Sequence, residues 1–109
     1  MEHIKTYIDQ NKSRFLEELF GMIRIQSISS EASHKDDMQK AAEYWKNTLL
    51  KAGAAKAEIF PTEGNPVVFA ELIIDKSKPT ILVYAHYDVM PVDPVELWTS
   101  PPFDPEIRD

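Results

Sequence analysis

Apolar side chains recur at three- and four-residue intervals through the first quarter of the chain. Ile4, Ile8, Phe15, Leu19, Met22 and Ile23 share one stripe that reaches Gln26, widened by Tyr7, Leu16 and Phe20. This spacing predicts an amphipathic helix over residues 3–26, with Asp9, Asn11 and Ser13 as positions that either interrupt it or start a second turn of phase. The stretch Gln26-Ser-Ile-Ser-Ser-Glu-Ala-Ser33 reads as a polar loop, because serine side chains compete with the backbone for hydrogen bonds and favour turns and caps. Ser33 followed by Asp36 has the form of an acidic capping box. Beyond it, Met38, Ala41, Ala42, Trp45, Leu49 and Leu50 form a second stripe. Gly53 suits the left-handed residue that closes a helix, so a helix over about 34–52 is expected.

The period then changes. Residues 57–60 (Ala-Glu-Ile-Phe) read as a short strand, and Pro61 to Pro66 as a turn around Gly64-Asn65. Val67 to Ile74 is apolar-rich with β-branched residues, and 75–78 form a polar loop. Thr80 to Ala85 is a nearly continuous apolar run, the mark of a strand covered on both faces. Residues 91–105 hold five prolines and no period, which predicts an irregular surface loop anchored by Trp98 and Phe103. Two helices followed by about three strands give an α/β chain with a partly parallel, incomplete sheet. Helices on one side alone leave the far face of the apolar strand bare.

Composition narrows the class. The chain has 109 residues, 43% hydrophobic and 28% charged, enough for one folded domain over 1–109. The net charge of −6 and the lack of a basic stripe argue against nucleic acid and anionic membrane surfaces. No run approaches a transmembrane span, and the polar N-terminus lacks a signal core, so a cytoplasmic protein is expected. Without cysteine, disulfides and thiolate metal sites are excluded. Any metal would rest on His, Asp and Glu, which suits a catalytic zinc or manganese.

The chemistry concentrates after the apolar run, where His86 and Asp88 stand two apart. Functional groups gather beyond the carboxyl ends of central strands in open α/β sheets. Residues two apart on extended backbone project to one side, so the pair can converge. One reading makes His86 a zinc ligand whose other ring nitrogen is held by Asp88. The other is a histidine hydrogen-bonded to a neighbouring carboxylate, with no metal. His-x-Asp alone leaves both open.

The wider context adds a resemblance. Leu82-Val-Tyr-Ala-His-Tyr-Asp-Val-Met-Pro91, followed by Leu97-Trp98 and Pro-Pro-Phe103-Asp-Pro, closely resembles the co-catalytic zinc peptidases that include aminoacylase, carboxypeptidase G and cytosolic dipeptidases. Ile23-Arg-Ile-Gln-Ser-Ile-Ser resembles the loop after that family's first helix. Tyr87 and Pro-Pro-Phe look most like the dipeptidase branch. The resemblance covers essentially the whole chain. It implies an α/β/α sandwich, of which 1–109 is the N-terminal portion of a metallopeptidase catalytic domain. It implies His86 as metal ligand and Asp88 as the acidic active-site residue that holds the imidazole. It also implies two zinc ions in an intact enzyme, with a bridging Asp, a Glu-Glu pair, a further acid and a late His downstream of Asp109. The expected substrate is a dipeptide, or alternatively an N-acyl amino acid. A chain lacking the downstream groups is expected to be inactive alone. Substrate-binding residues are not assigned.

The remaining candidates read more plainly. His34 precedes Lys-Asp-Asp and is expected to be a solvated helix start, with acids favoured by the helix dipole. His3 lies near the terminus. Glu17-Glu18 falls on a helix among basic residues, a solvated face. Trp45 is expected in the core, and Trp98 as a pin for the proline-rich loop. A non-catalytic binding module on the same scaffold, or self-association through an exposed sheet edge, is the competing use of the bare apolar strand.

Overall fold

The computed structural model describes residues 1–108. The end of the chain at Asp109, where the downstream groups were expected to follow, lies outside the described residues. The chain divides into two compact units. One comprises Met1–Ile25 and the segment from Val92 onward, and the other is Gln26–Pro91.

In the first unit, helix α1 spans Glu2–Ile23, close to the span its stripe predicts. None of its residues is buried: Ile4, Tyr7, Ile8 and Leu19 stay about half exposed. Its surface is laced by pairs one or two turns apart, Arg14 with Glu18 and Arg24 with Glu17, each at 2.7 Å. The Glu17-Glu18 doublet is thus engaged by arginines on the same unit. After Val92 the chain makes a 3-10 turn at Val95–Leu97. The Trp98 indole N–H donates to the Val92 carbonyl at 2.8 Å, so the tryptophan pins the proline-rich loop as expected.

The second unit is built on helix α2, Lys35–Lys51, laid against a two-stranded antiparallel sheet of β1, Lys56–Phe60, and β2, Val67–Glu71. Met38, Ala41 and Ala42 of the predicted stripe are buried, and with Ile28 they form the apolar core. The two alanines let helix and sheet approach closely. Trp45 is half-buried, not fully enclosed, and its indole N–H has no hydrogen-bond partner among the described residues.

Gly53 ends α2 with φ 108°, the region that favours glycine. Ala54 N–H bonds the Leu49 carbonyl and Gly53 N–H the Leu50 carbonyl, the paired arrangement that satisfies otherwise orphaned helix carbonyls. At the other end the expected Ser33 capping box does not form. A 3-10 turn over Ala32–His34 shifts the helix start, so His34 occupies the cap position, without a side-chain cap bond.

Register pairs Ala57 with Ala70 and Ile59 with Val68, which are half-buried. Phe60 and Phe69 meet edge-on with ring centres 6.4 Å apart on the opposite, more exposed face. Thr62 closes the connecting turn by donating to the Asn65 carbonyl at 2.8 Å.

The α/β class and the two helices stand. The third strand and the parallel pairing it implied do not: the sheet has two strands, and they run antiparallel. Residues 80–85 are unpaired, and Ile81, Leu82, Val83 and Tyr84 are 83% to 91% exposed. A strand needs a neighbour to take its backbone bonds and layers to cover its faces, and no other described segment pairs with this one. Among the described residues parallel pairing appears only as an isolated bridge between Ile28 and Val89.

Candidate functional site around His86 and Asp88

The second unit brings His86 and Asp88 together as their spacing predicts. His86 Nδ1 lies 3.0 Å from Asp88 Oδ1 and 3.2 Å from the Asp88 carbonyl oxygen. Both of those atoms are acceptors, so Nδ1 carries the proton. In the neutral ring this leaves the Nε2 lone pair free, and the side chain is 79% exposed. A ring held at Nδ1 by a carboxylate, with Nε2 open, is the donor arrangement of a metal-ligating histidine.

Asp88 is itself held. Ser29 Oγ donates to Asp88 Oδ2 at 2.5 Å, within the range of short, charge-assisted O–H···O⁻ bonds. The Ser29 bond is the main cause that draws the Asp88 carboxyl below the ordinary carboxylate range, partly opposed by desolvation, with the His86 bond adding to the lowering. The carboxylate is therefore ionised at neutral pH and serves as an acceptor on both oxygens.

Ser29 reaches Asp88 because the polar loop after α1 lies along residues 87–89. Ser27 Oγ donates to the Tyr87 carbonyl at 3.1 Å, and Val89 N–H donates to the Ser27 carbonyl at 2.9 Å. Ile28 bridges Val89 in parallel. Ser27 and Ile28 are 1% and 4% exposed, so this polar-looking loop is among the most enclosed parts of the molecule. On the other side Tyr87 donates its hydroxyl to the Pro66 carbonyl. Burial, then the charge of Asp88, pushes the phenol above its ordinary value and keeps it a donor. The residues flanking Asp88 are thus fixed from two directions.

A cleft of about 320 Å³ opens beside the pair, lined by Met38, Pro66, Val68, Val83, His86 and Asp88 among others. A larger cleft between the start of α2 and β1, lined by Lys35, Gln39 and Glu58 among others, contains neither His86 nor Asp88.

His34 departs from the solvated position expected for it. Its side chain is 19% exposed, with Nδ1 2.9 Å from Asp37 Oδ2 and Nε2 3.6 Å from Glu31 Oε2. Asp37 also meets Lys40 at 2.8 Å, and these two contacts hold its carboxyl below the ordinary range, Lys40 first. With both nitrogens facing carboxylates, the ring offers no open donor. Among the described residues no group of three or more His, Asp or Glu side chains is arranged to hold a metal ion. His86 alone presents a single ligand, fewer than the three protein ligands typical of a catalytic zinc.

Ser27 and Ser29 are the site residues that sequence spacing did not single out. The signal was present in the serine-rich loop after α1, but nothing local ties that loop to a segment about sixty positions away.

Comparison with known proteins yields no matching family model. Individual relatives do match. A cysteinylglycine-S-conjugate dipeptidase of Corynebacterium striatum is 32% identical over 91% of this chain. The solved structure of the di-peptidase Dug1p from Saccharomyces cerevisiae superposes on 89% of the chain with a TM-score of 0.78 and 30% identity. Over a shorter stretch of 31 residues, a succinyl-diaminopimelate desuccinylase of Xanthomonas oryzae is 55% identical. The chain spans only 22% to 24% of the length of the curated dipeptidases it matches, three of which are Cys-Gly metallodipeptidases of yeasts. The resemblance to metallodipeptidases is therefore real over nearly all of this chain and covers under a quarter of those proteins.

Proposed function

We propose that this chain is the N-terminal portion of a zinc-dependent, dipeptidase-like amide hydrolase. In this reading His86 supplies a zinc ligand through Nε2, and Asp88 fixes the ring. The observation that carries it is the Nδ1-to-Asp88 bond with Nε2 left open, in a chain resembling metallodipeptidases along nearly its full length.

A bound metal of this class supplies Lewis-acid polarisation of a carbonyl and acidifies a water molecule. The contribution of this chain is positional. Asp88 accepts a hydrogen bond from His86 Nδ1–H, which selects the tautomer with Nε2 available. The carboxylate keeps its charge because Ser29 and His86 both donate to it. Tyr87, anchored to Pro66, prevents the segment from swinging away. The apolar wall of the neighbouring cleft, with Met38, Val68 and Val83, offers a less polar margin on which the body of a substrate rests.

The reading assigns the substrate as a dipeptide. The short match to a desuccinylase favours an N-acyl amino acid as the second choice. With one ligand and no assembled set among the described residues, the isolated chain is expected neither to hold two zinc ions tightly nor to hydrolyse dipeptides.

The test is a pair of chimaeras. The part of this chain that superposes on Dug1p replaces the corresponding segment of that protein, and separately the 31 residues that match the desuccinylase replace theirs. A folded Dug1p chimaera that hydrolyses dipeptides with added zinc, and loses at least about tenfold on His86→Ala, supports the proposal. A folded chimaera that is inactive, or equally active without His86, overturns it. Activity retained only on the desuccinylase scaffold moves the substrate to the N-acyl amino acids.

A further inference from the structure

We infer that Ser29 is a positioning residue for the site: it holds Asp88 in the rotamer that keeps the His86 ring in its Nδ1–H form. The inference rests on the reading of His86 and Asp88 above and extends it by one link.

A carboxylate on an exposed segment rotates freely unless both oxygens are engaged. Here Oδ1 accepts from His86 and Oδ2 from Ser29, on opposite sides of one group. Asp88 can turn away from the imidazole only by breaking the Ser29 bond. His86 has little else to fix it, since its side chain is 79% exposed and its hydrogen-bond partners among the described residues both belong to Asp88. The orientation of the ring is therefore borrowed from Asp88, and that of Asp88 from Ser29.

Ser29 in turn is fixed. Its two predecessors, Ser27 and Ile28, are the enclosed residues that pair with Tyr87 and Val89. The loop after α1 is thus a rigid support that carries one hydroxyl to the carboxylate, fifty-nine positions away in sequence. A serine suits the position because its hydroxyl donates to an ionised acceptor, while the contacts of Ser27 and Ile28 with Tyr87 and Val89 hold the strap in register.

A solvated, unpartnered histidine side chain prefers the Nε2–H tautomer, so the Nδ1–H population of His86 reports the chain of contacts directly and without metal. The experiment measures that population in the 109-residue chain by long-range ¹H–¹⁵N correlation at a pH where the ring is neutral. Four variants are compared with the parent: Ser29→Ala, Ser29→Cys, Ser29→Thr and Asp88→Ala. The near-isosteric cysteine is a weak donor and covers the case in which alanine disturbs the loop. Threonine keeps the hydroxyl.

Ser29→Ala and Ser29→Cys are expected to lower the Nδ1–H to Nε2–H ratio by about tenfold, as loss of a hydrogen bond to a charged group warrants. Ser29→Thr is expected to restore it, with the Ile28–Val89 amide contacts unchanged throughout. If Asp88→Ala shifts the ratio but Ser29→Ala and Ser29→Cys do not, the role of Ser29 is overturned and the His86–Asp88 reading survives. If threonine fails to restore the ratio, the effect belongs to the loop and the inference also fails. If Asp88→Ala changes nothing, the pairing itself is wrong, and the proposed site falls with it.

Discussion

The run Ile81–Tyr84 and the loop Ser27–Ile28 exchange the places that their compositions assign them. The first is apolar throughout and stands 83% to 91% exposed. The second begins with a serine inside a polar stretch and is 1% to 4% exposed. Hydropathy states what a segment gains by burial. Whether burial occurs depends on a partner with matching shape and backbone groups. Ser27 has one in Tyr87 and Val89, which take up its hydroxyl and carbonyl. The run at 81–84 has none among the described residues. A polar residue is therefore cheap to enclose where its bonds are met, and an apolar one stays in water where nothing covers it.

Three substitutions test this contrast. The largest effect is expected at a residue where hydropathy and enclosure agree. Met38 is 3% exposed between α2 and the neighbouring cleft, so Met38→Ala should cost about 2–4 kcal/mol, read from the urea midpoint. A loss under half of that would mean the core is not organised around α2.

Next comes the enclosed polar residue. Ser27→Ala removes the donor to the Tyr87 carbonyl without creating a large void, and about 1–2 kcal/mol should be lost. Hydrogen exchange at Val89 should quicken along with it. A neutral result would show that the loop is held by Ile28 alone.

The smallest effect is expected where hydropathy is greatest. Leu82→Lys should move stability by no more than about 0.5 kcal/mol, because the side chain has little contact to lose. The same substitution should reduce concentration-dependent association seen by light scattering, since exposed apolar surface drives it. A strongly destabilised Leu82→Lys would place the run inside a folded layer and reverse the contrast.

Much of the second unit was legible in advance. The stripe that begins at Met38 located α2 within a residue or two, and Gly53 marked its end through a backbone angle that few other residues adopt. The strands expected over 57–60 and 67–74 form over 56–60 and 67–71, the second ending three residues short of the apolar run. The cap was misplaced because a 3-10 turn at Ala32–His34 precedes the helix, and spacing alone does not distinguish its tighter winding. The solvated setting foreseen for His34 failed for a related reason: the turn folds Glu31 back toward the ring.

By itself the sequence determined what lies within a few residues: helix and strand periods, the closing glycine, and the convergence of His86 with Asp88 across one intervening position. These follow from backbone geometry, which repeats over short distances and is written in local spacing. The tertiary structure alone decided which distant segment meets Asp88, and that the apolar run beside it has no cover. Long-range pairing depends on how separate elements dock. No period along the chain records that Ser29 will donate to a carboxylate fifty-nine residues later.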